Sequence, residues 1–153
     1  MKLPIGDVPL TGELRRRLEA GGGGGSGART AIAGLRPEHF EDAGLLASEK
    51  HAHGIVFRAR IDVLESMGAE YYAYLTVESE RVSSRQLEEL AQDTGTADLP
   101  RAGEGNQVVA RLDAASRARQ GEEAELWFDG TKLQLFDPES GKNLLGAAES
   151  ASA

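Results

Sequence analysis

Apolar and polar residues alternate along most of the chain after residue 30. In residues 55–64, "IVFRARIDVL", apolar residues recur at every second position of the central part, and charged residues stand between them. Such alternation is typical of half-buried antiparallel strands. Short strands separated by Gly-containing turns, such as Met67-Gly68, predict an all-β domain built as a small barrel or sandwich. The alternating segments are 55–64, 71–77, 108–112, 124–128 and 133–135.

The same alternation predicts which side chains form the core. Residues two apart on a strand point to the same face, so Val63 is expected to lie inward together with Phe57 and Ile61. One face of the predicted strands would then bury seven large apolar residues. These are Phe57, Ile61, Leu75, Val77, Leu112, Leu126 and Leu135.

Aromatic side chains are expected on the opposite, outward face. Tyr72 and Tyr74 in "YYAYLTV" share that face, and Trp127 is predicted to point outward from its own strand. A row of tyrosines can stack nucleic-acid bases or sugars. Without a basic groove beside it, packing beneath a helix or at a partner interface is the favoured interpretation.

The N-terminal segment, 1–20, is predicted as a hairpin followed by a short helix. The turn of the hairpin is expected at Gly6-Asp7, a pair that suits tight turns. The helix is expected to bury one apolar stripe with four-residue spacing. The stripe consists of Leu10, Leu14 and Leu18.

The remaining boundaries follow from composition. The run "GGGGGSG" has no side chains to bury and predicts a flexible tether. Within the barrel domain, 80–105 is predicted as an insertion that is helical from a capping box at Ser83 and Gln86 and mobile over 92–105. The predicted divisions are 1–20 for the hairpin and short helix of the barrel, 21–28 for the flexible loop, 29–146 for the barrel domain and 147–153 for a disordered tail.

Charge and composition restrict the function. The chain has 153 residues and a formal net charge of -8, which argues against nucleic-acid binding and against adhesion to an anionic membrane. It has no cysteine, which excludes disulfides and thiolate metal sites and suits a reducing compartment. No apolar run approaches the ~18 residues of a membrane span. These observations predict a soluble cytosolic domain.

Candidate chemistry along the chain is weak. His51 and His53 would point the same way on a strand, and with His39 they suggest a metal site. The polar context "SEKHAHG" instead favours solvent-facing imidazoles. Glu38 and His39 could act as a general acid and base, but no nucleophile or second carboxylate motif accompanies them. The glycine run lacks the Lys-Ser/Thr pair that a phosphate-binding loop requires.

The segment "GLRPEHF" marks the end of a strand. Pro37 restricts Arg36 to an extended conformation and offers no N–H to a sheet. Arg36 and Glu38 are therefore expected beside the strand end, where they can pair with each other or across an interface.

Three segments in order carry a family resemblance: "GLRPEH" at 34–39, "VLE" to "MGAE" across 63–70, and "LQLFD" at 133–137. Together they resemble the C-terminal regulatory domain of ABC sugar-importer ATPase subunits. This is the transport-associated OB (TOBE) type of the maltose, multiple-sugar and glycerol-3-phosphate importers. The insertion at 80–105 resembles the actinobacterial branch.

The resemblance implies an OB-like antiparallel β-barrel and a regulatory and dimerisation role. It implies no catalytic, cofactor-binding or metal site, because Walker A, signature and Walker B motifs do not occur in the sequence; ATP and Mg would belong to the full-length parent subunit. The expected partners are a second copy, the parent's ATPase domain, through it the membrane permease subunits, and a regulatory protein, at the cytoplasmic face of the cell membrane. The motif residues expected at interfaces are Arg36, Pro37, Glu38, His39, Gly68, Glu70 and Phe136.

Other classes of function are weighed against this one. The main alternative is a small-ligand module that binds oxyanions or sugars, but no Ser/Thr-Lys cluster supports it. A single-strand nucleic-acid binder of the OB type is disfavoured by charge, and a hydrolase has no supporting motif.

Overall fold

A computed structural model describes residues 1–22, 30–77 and 106–146. It confirms the predicted fold class: the chain is mainly β, with a curled antiparallel sheet consistent with an OB-like fold. The strands are β1 Lys2–Leu3, β2 Gly6–Asp7, β3 Ile32–Gly34, β4 Phe40–Asp42, β5 Gly54–Ser66, β6 Glu70–Val77, β7 Asn106–Asp113, β8 Glu123–Asp129 and β9 Gln134–Phe136, and the helix is α1 Gly12–Ala20. Short 3-10 helices occupy Pro37–His39, Ala43–Leu45, Ser48–His53 and Gly130–Lys132.

The described residues fall into two compact units. The first contains Met1–Pro9 and the described residues within 35–81 and 98–132. The second contains the described residues within 10–34 and 133–153.

The first unit is organised by an antiparallel sheet in the order β4-β8-β5-β6-β7. Its outermost strands in the described part, β4 and β7, approach each other within 8 Å between Cα atoms. Because the sheet curls until its two edges approach each other, one face encloses a core and the other faces outward. The enclosed face is called the inner face below.

The inner face carries the core. Phe40 lies in edge-to-face contact with Phe57, with ring centroids 6.1 Å apart, and 4.9 Å from the ring of Phe128. All seven residues predicted as core are buried. Leu135, however, lies on β9 in the second unit, because β9 pairs with β3 rather than with the five-stranded sheet.

A β-bulge on β5 corrects the predicted position of Val63. The register of β5 against β6 shifts between Ile61 and Val63. An extra residue in one strand reverses the side-chain alternation beyond it. Val63 therefore points outward and is 41% exposed, whereas the simple two-residue period placed it inside.

Trp127 points away from the inner face as predicted, but its side chain is buried rather than exposed. It pairs with Val56, which is exposed, and only 3% of Trp127 is accessible. A Cβ atom on Gly54 would stand 2.5 Å from Nε1 and Cε2 of the indole. The glycine thus provides the room that the indole ring occupies.

The N-terminal hairpin forms, but its turn differs from the prediction. Leu3 pairs with Gly6, so the turn is Pro4-Ile5, and Gly6-Asp7 forms β2. Gly6 has φ of +137°, a conformation open to glycine but strained for other residues. The glycine is therefore needed at the first residue of β2, where the backbone adopts this positive φ, rather than in the turn itself.

The second unit combines α1 with the β3–β9 pair and the chain around 144–146. The Thr11 side chain accepts a hydrogen bond from Leu14 N and caps the helix, as its residue type favours. Leu14 and Arg17 are the buried residues of α1. The predicted leucine stripe is therefore wrong in part, since Leu10 precedes the helix and is exposed.

Close backbone contact joins α1 to residues 144–146. Gly146 N donates to Arg17 O at 2.8 Å, and Arg17 Nε donates to Gly146 O at 3.3 Å. A Cβ atom on Gly21 would collide with the Leu144 carbonyl oxygen. A glycine at position 21 is thus required by packing.

Several predictions concern residues outside the described ranges. They are the flexibility of most of the glycine run, the helical and mobile insertion at 80–105 and the disordered tail at 147–153. Within the described ranges, no helix has the length and apolar character to cross a membrane.

Candidate functional site

The Arg36-to-His39 segment follows β3 as its sequence predicts. Arg36 is extended at φ −103° and ψ 140°, and Pro37 begins the 3-10 helix Pro37–His39. Arg36 Nη1 lies 3.9 Å from Glu38 Oε1, and both side chains are well exposed. The predicted pairing is therefore present, but an exposed ion pair of this length contributes little to stability.

The Met67-to-Glu70 segment forms the turn between β5 and β6. Met67 N donates to Glu70 O at 2.8 Å, and Gly68 has φ of +89°, a left-handed conformation that favours glycine. Glu70 Oε2 lies 3.6 Å from Arg111 Nε on β7. The turn therefore positions Glu70 beside the neighbouring strand.

Both segments meet at one groove between the approaching edges of the sheet. A cavity of about 360 Å³ separates β4 from the end of β7, and both Glu38 and Glu70 line it. Among the described residues, five carboxylates and one guanidinium, that of Arg111, contribute to its wall. We call this cavity the acidic groove. Its charge disfavours anionic ligands and favours basic ones.

Polar contacts surround the carboxylates of the acidic groove, and one of them joins its two sides. Ser116, which follows β7, donates from Oγ to Asp42 Oδ2 at 2.6 Å. Asp42 Oδ1 accepts from Gly44 N at 2.8 Å, and Glu41 Oε1 lies 2.8 Å from Lys50 Nζ. All three contacts partly compensate the carboxylates, and the Ser116–Asp42 hydrogen bond also holds β4 near the end of β7.

Phe136 and His39 occupy other surroundings. Phe136 lies on β9, opposite Ile32 of β3, and a Cβ atom on Gly34 would stand 3.0 Å from its ring. Gly34 thus leaves space for the Phe136 ring within the second unit. His39 Nδ1 is buried and has no hydrogen-bond partner among the described residues.

The outward tyrosines lie on β6 as predicted. Tyr74 OH donates to Glu65 Oε2 at 2.9 Å. This hydrogen bond is the main reason that the pKa of Tyr74 is raised from its ordinary value of 10.0, with smaller contributions from burial and the charges of Glu65 and Tyr72. The bond links β5 to β6 on the outward face.

The remaining histidines lie apart from the groove lining. His51 and His53 lie exposed on the 3-10 helix Ser48–His53, in agreement with solvent-facing imidazoles. Within residues 1–22, 30–77 and 106–146, no group of three His, Cys, Asp or Glu is arranged to hold a metal ion.

Sequence reasoning missed the groove-lining residues Asp42, Arg111 and Asp113. It also missed Ser116, which donates a hydrogen bond to Asp42. The alternation in "VVARL" places Val108, Ala110 and Leu112 on one face, which leaves Arg111 on the outward side of the strand. It carried no signal that this strand end meets β4, because that approach depends on how the whole sheet curls.

Comparison with known proteins relates the chain to transport subunits. It is 38% identical over 144 residues to the trehalose import ATP-binding protein SugC of Mycobacterium tuberculosis, in strains H37Rv and CDC 1551 alike, which covers 94% of this chain and 35% of the relative. It is 26% identical over 114 residues to the sn-glycerol-3-phosphate import ATP-binding protein UgpC of Cupriavidus pinatubonensis, covering 74% of this chain and 22% of the relative. No family model matches the chain.

The chain spans between about a fifth and about a third of the length of the curated relatives it matches, 22% to 35%. Its homologues are ATP-binding subunits of ABC sugar importers, and the relationship is consistent with a C-terminal domain of such a subunit. The predicted resemblance to ATP-binding subunits of ABC sugar importers is confirmed.

Proposed function

We propose that this chain, homologous over 94% of its length to ATP-binding subunits of ABC sugar importers, is the regulatory and dimerisation domain of such a subunit. The homology is the observation that carries the proposal. A lasting contact between two such domains would keep two ATPase domains close and make their ATP-driven closure effectively intramolecular. In this role the domain acts at the cytoplasmic face of the membrane, joined through the ATPase domain to the permease subunits.

We further propose that the motif residues form or support contact surfaces rather than a catalytic centre. Arg36, Glu38 and Glu70 lie at or beside the acidic groove, where a basic segment of a regulatory protein would find complementary charge. Pro37, His39 and Gly68 shape the two turns. Phe136 packs in the second unit and supports the fold around β3.

The groove charge weighs against the oxyanion-binding alternative. Five carboxylates around one guanidinium repel molybdate or sulfate. Calorimetric titration with these anions is expected to give no heat of binding, and a saturable signal would favour the ligand-binding module instead.

Self-association tests the proposed function. We expect the chain to form a dimer in the micromolar range or weaker, strengthened between about 0.01 M and about 0.15 M salt, because screening reduces the repulsion of two chains of charge -8. Arg36→Glu is expected to weaken the dimer if the Arg36/Glu38 turn lies at the contact. Sedimentation velocity over a concentration series measures both effects.

Nucleotide binding supplies a second measurement. Because the sequence contains none of the motifs that hold phosphate and magnesium, ATP with magnesium is expected to give no calorimetric signal. Micromolar affinity for ATP would overturn the proposal that nucleotide binding resides in a separate ATPase domain. A chain that stays monomeric at every protein and salt concentration would overturn the dimerisation role.

A further inference from the structure

The outward face of β5, β6 and β7 carries two rows of side chains in register. Val63 pairs with Tyr74, and Tyr74 pairs with Val109 on β7. In the next row, Glu65 pairs with Tyr72, and Tyr72 pairs with Arg111. Directly opposed residues of antiparallel strands point to the same face. The six residues Val63, Glu65, Tyr72, Tyr74, Val109 and Arg111 therefore form one surface, which we call the outer stripe.

The outer stripe exposes apolar side chains on the surface of a single chain. Val63 is 41% exposed, and Met67 at the adjoining turn is 66% exposed. Tyr72, Tyr74 and Val109 are half-buried. The β-bulge after Ile61 turns Val63 outward, so the apolar row results from a specific feature of β5.

Two opposite charges flank the tyrosines of the outer stripe. Glu65 lies on β5 and Arg111 on β7, with β6 between them. Two strand spacings separate their backbones by roughly 10 Å, with Tyr72 of β6 between them. Each has a local partner, Tyr74 for Glu65 and Glu70 for Arg111, in an exposed setting.

This arrangement is complementary to itself. Consider two copies that face each other through their outer stripes, related by a twofold axis that is parallel to β6 and lies midway between them. This axis places β5 of one copy opposite β7 of the other. Glu65 then faces Arg111 of the second copy, Val63 faces Val109 of the second copy, and the tyrosines meet their counterparts. Two sheets packed face to face lie about 10 Å apart, a gap that Arg and Glu side chains together can span.

We propose that the outer stripe is a contact between two copies of this chain, related by a twofold axis along β6 and matched by two Glu65–Arg111 pairs. The inference rests on the proposed dimerisation role and assigns it a surface. The stripe covers roughly 200 Å², against the ~800 Å² per partner of a stable interface. The isolated chain is therefore expected to associate weakly, with the stripe determining the geometry of the pair.

Charge reversal tests this geometry. Glu65→Arg and Arg111→Glu, each alone, place like charges at both pairs of the homodimer, and we expect self-association about tenfold weaker in each. An equimolar mixture of the two variants restores both attractive pairs, and is expected to associate as strongly as the unchanged chain. Sedimentation velocity up to about 1 mM protein at about 0.15 M salt measures all three samples.

The matched controls are Glu125→Arg and Arg58→Glu. These residues form an exposed cross-strand pair at 3.3 Å near the other end of β5, about 23 Å along the strand from Glu65, and their reversal changes the net charge equally. We expect no recovery specific to their mixture. Circular dichroism of each variant verifies that the fold is retained.

The outcomes separate this inference from the proposed function. Dimerisation that Glu65→Arg and Arg111→Glu leave unchanged would overturn the outer stripe as the contact, while the dimerisation role stands. Two weakened variants whose mixture associates no more strongly than either variant alone would overturn the twofold axis along β6. A strictly monomeric unchanged chain would overturn both proposals.

Discussion

The inner and outer faces of the five-stranded sheet are built from the same strands but follow different rules. On the inner face, Ile61, Ala73, Leu75 and Ala110 are completely buried. On the outer face, apolar residues are confined to a few positions and alternate with exposed pairs such as Arg58 and Glu125. Burial on the inner face depends on the fold alone, whereas burial on the outer face depends on what covers each position.

Trp127 and Val56 illustrate this dependence. They are direct neighbours on the outer face of β8 and β5, yet Trp127 is 3% exposed and Val56 45%. Part of the difference is local, since the missing side chain of Gly54 leaves room for the indole ring. Apolar residues on outward positions thus differ in exposure according to their immediate neighbours.

The largest expected effect is on the inner face. Phe57→Ala removes a ring that contacts Phe40 and is expected to lower the free energy of unfolding by ~3 to 5 kcal/mol through loss of burial and a residual cavity. Val56→Ala is the matched control one residue away on the exposed face and is expected within about 0.5 kcal/mol. Urea unfolding measures both. Equal effects of the two substitutions would mean that the faces of β5 are assigned wrongly.

A smaller loss of stability is expected on the outer face, where the Trp127 indole packs against Gly54. Gly54→Ala places a methyl group against the Trp127 indole and the Phe128 carbonyl oxygen, and overpacking of this kind costs ~1 to 3 kcal/mol. Thermal unfolding, together with the fluorescence of the single tryptophan, reports both the stability and the displacement of the ring.

Gly12→Ala is the matched control for this substitution, because a Cβ atom there meets nothing within 4 Å. An unchanged melting temperature and emission spectrum in Gly54→Ala would contradict the close packing of Trp127 on Gly54.

The smallest effect concerns Tyr74 and appears only at alkaline pH. Its hydrogen bond to Glu65 raises the pKa of the folded state above 10.0, so the folded protein holds this proton more tightly than the unfolded chain does. The stabilisation is therefore fully present below about pH 10 and is lost as the pH rises through the folded-state pKa.

Tyr74→Phe removes this contribution. The difference in melting temperature between the unchanged chain and the variant is expected to shrink from about pH 8 to about pH 11. The other two tyrosines are present in both proteins, so their contributions cancel in the comparison. A difference that is constant with pH would show that the hydrogen bond to Glu65 does not persist in solution.

Sequence periodicity predicted the strands and most of the core because an alternating pattern specifies one buried face wherever the strand is regular. It failed at Val63, since a bulge leaves no mark in the pattern until the pairing of β5 with β6 is known. It also missed β4, whose three residues Phe40–Asp42 are too short to show a period.

For the motif residues, too, local conformation was predictable from the sequence and long-range proximity was not. The consequences of Pro37 for Arg36, and of Gly68 for its turn, are local and were predictable, because they follow from backbone sterics within a few residues. The meeting of Glu38 with Glu70 at one groove was not. Residues 32 positions apart in number are brought together only when the sheet curls and its edges approach.

The order of residues along this chain therefore sufficed for its strands, its inner face and its kinship with import subunits, since each depends on local conformation or on residue identity. The buried state of Trp127, the outward turn of Val63 and the walls of the acidic groove were decided by strand pairing and by the closure of the sheet. Those contacts join residues distant in sequence, and their register is set by the packing of the whole unit rather than by any one segment.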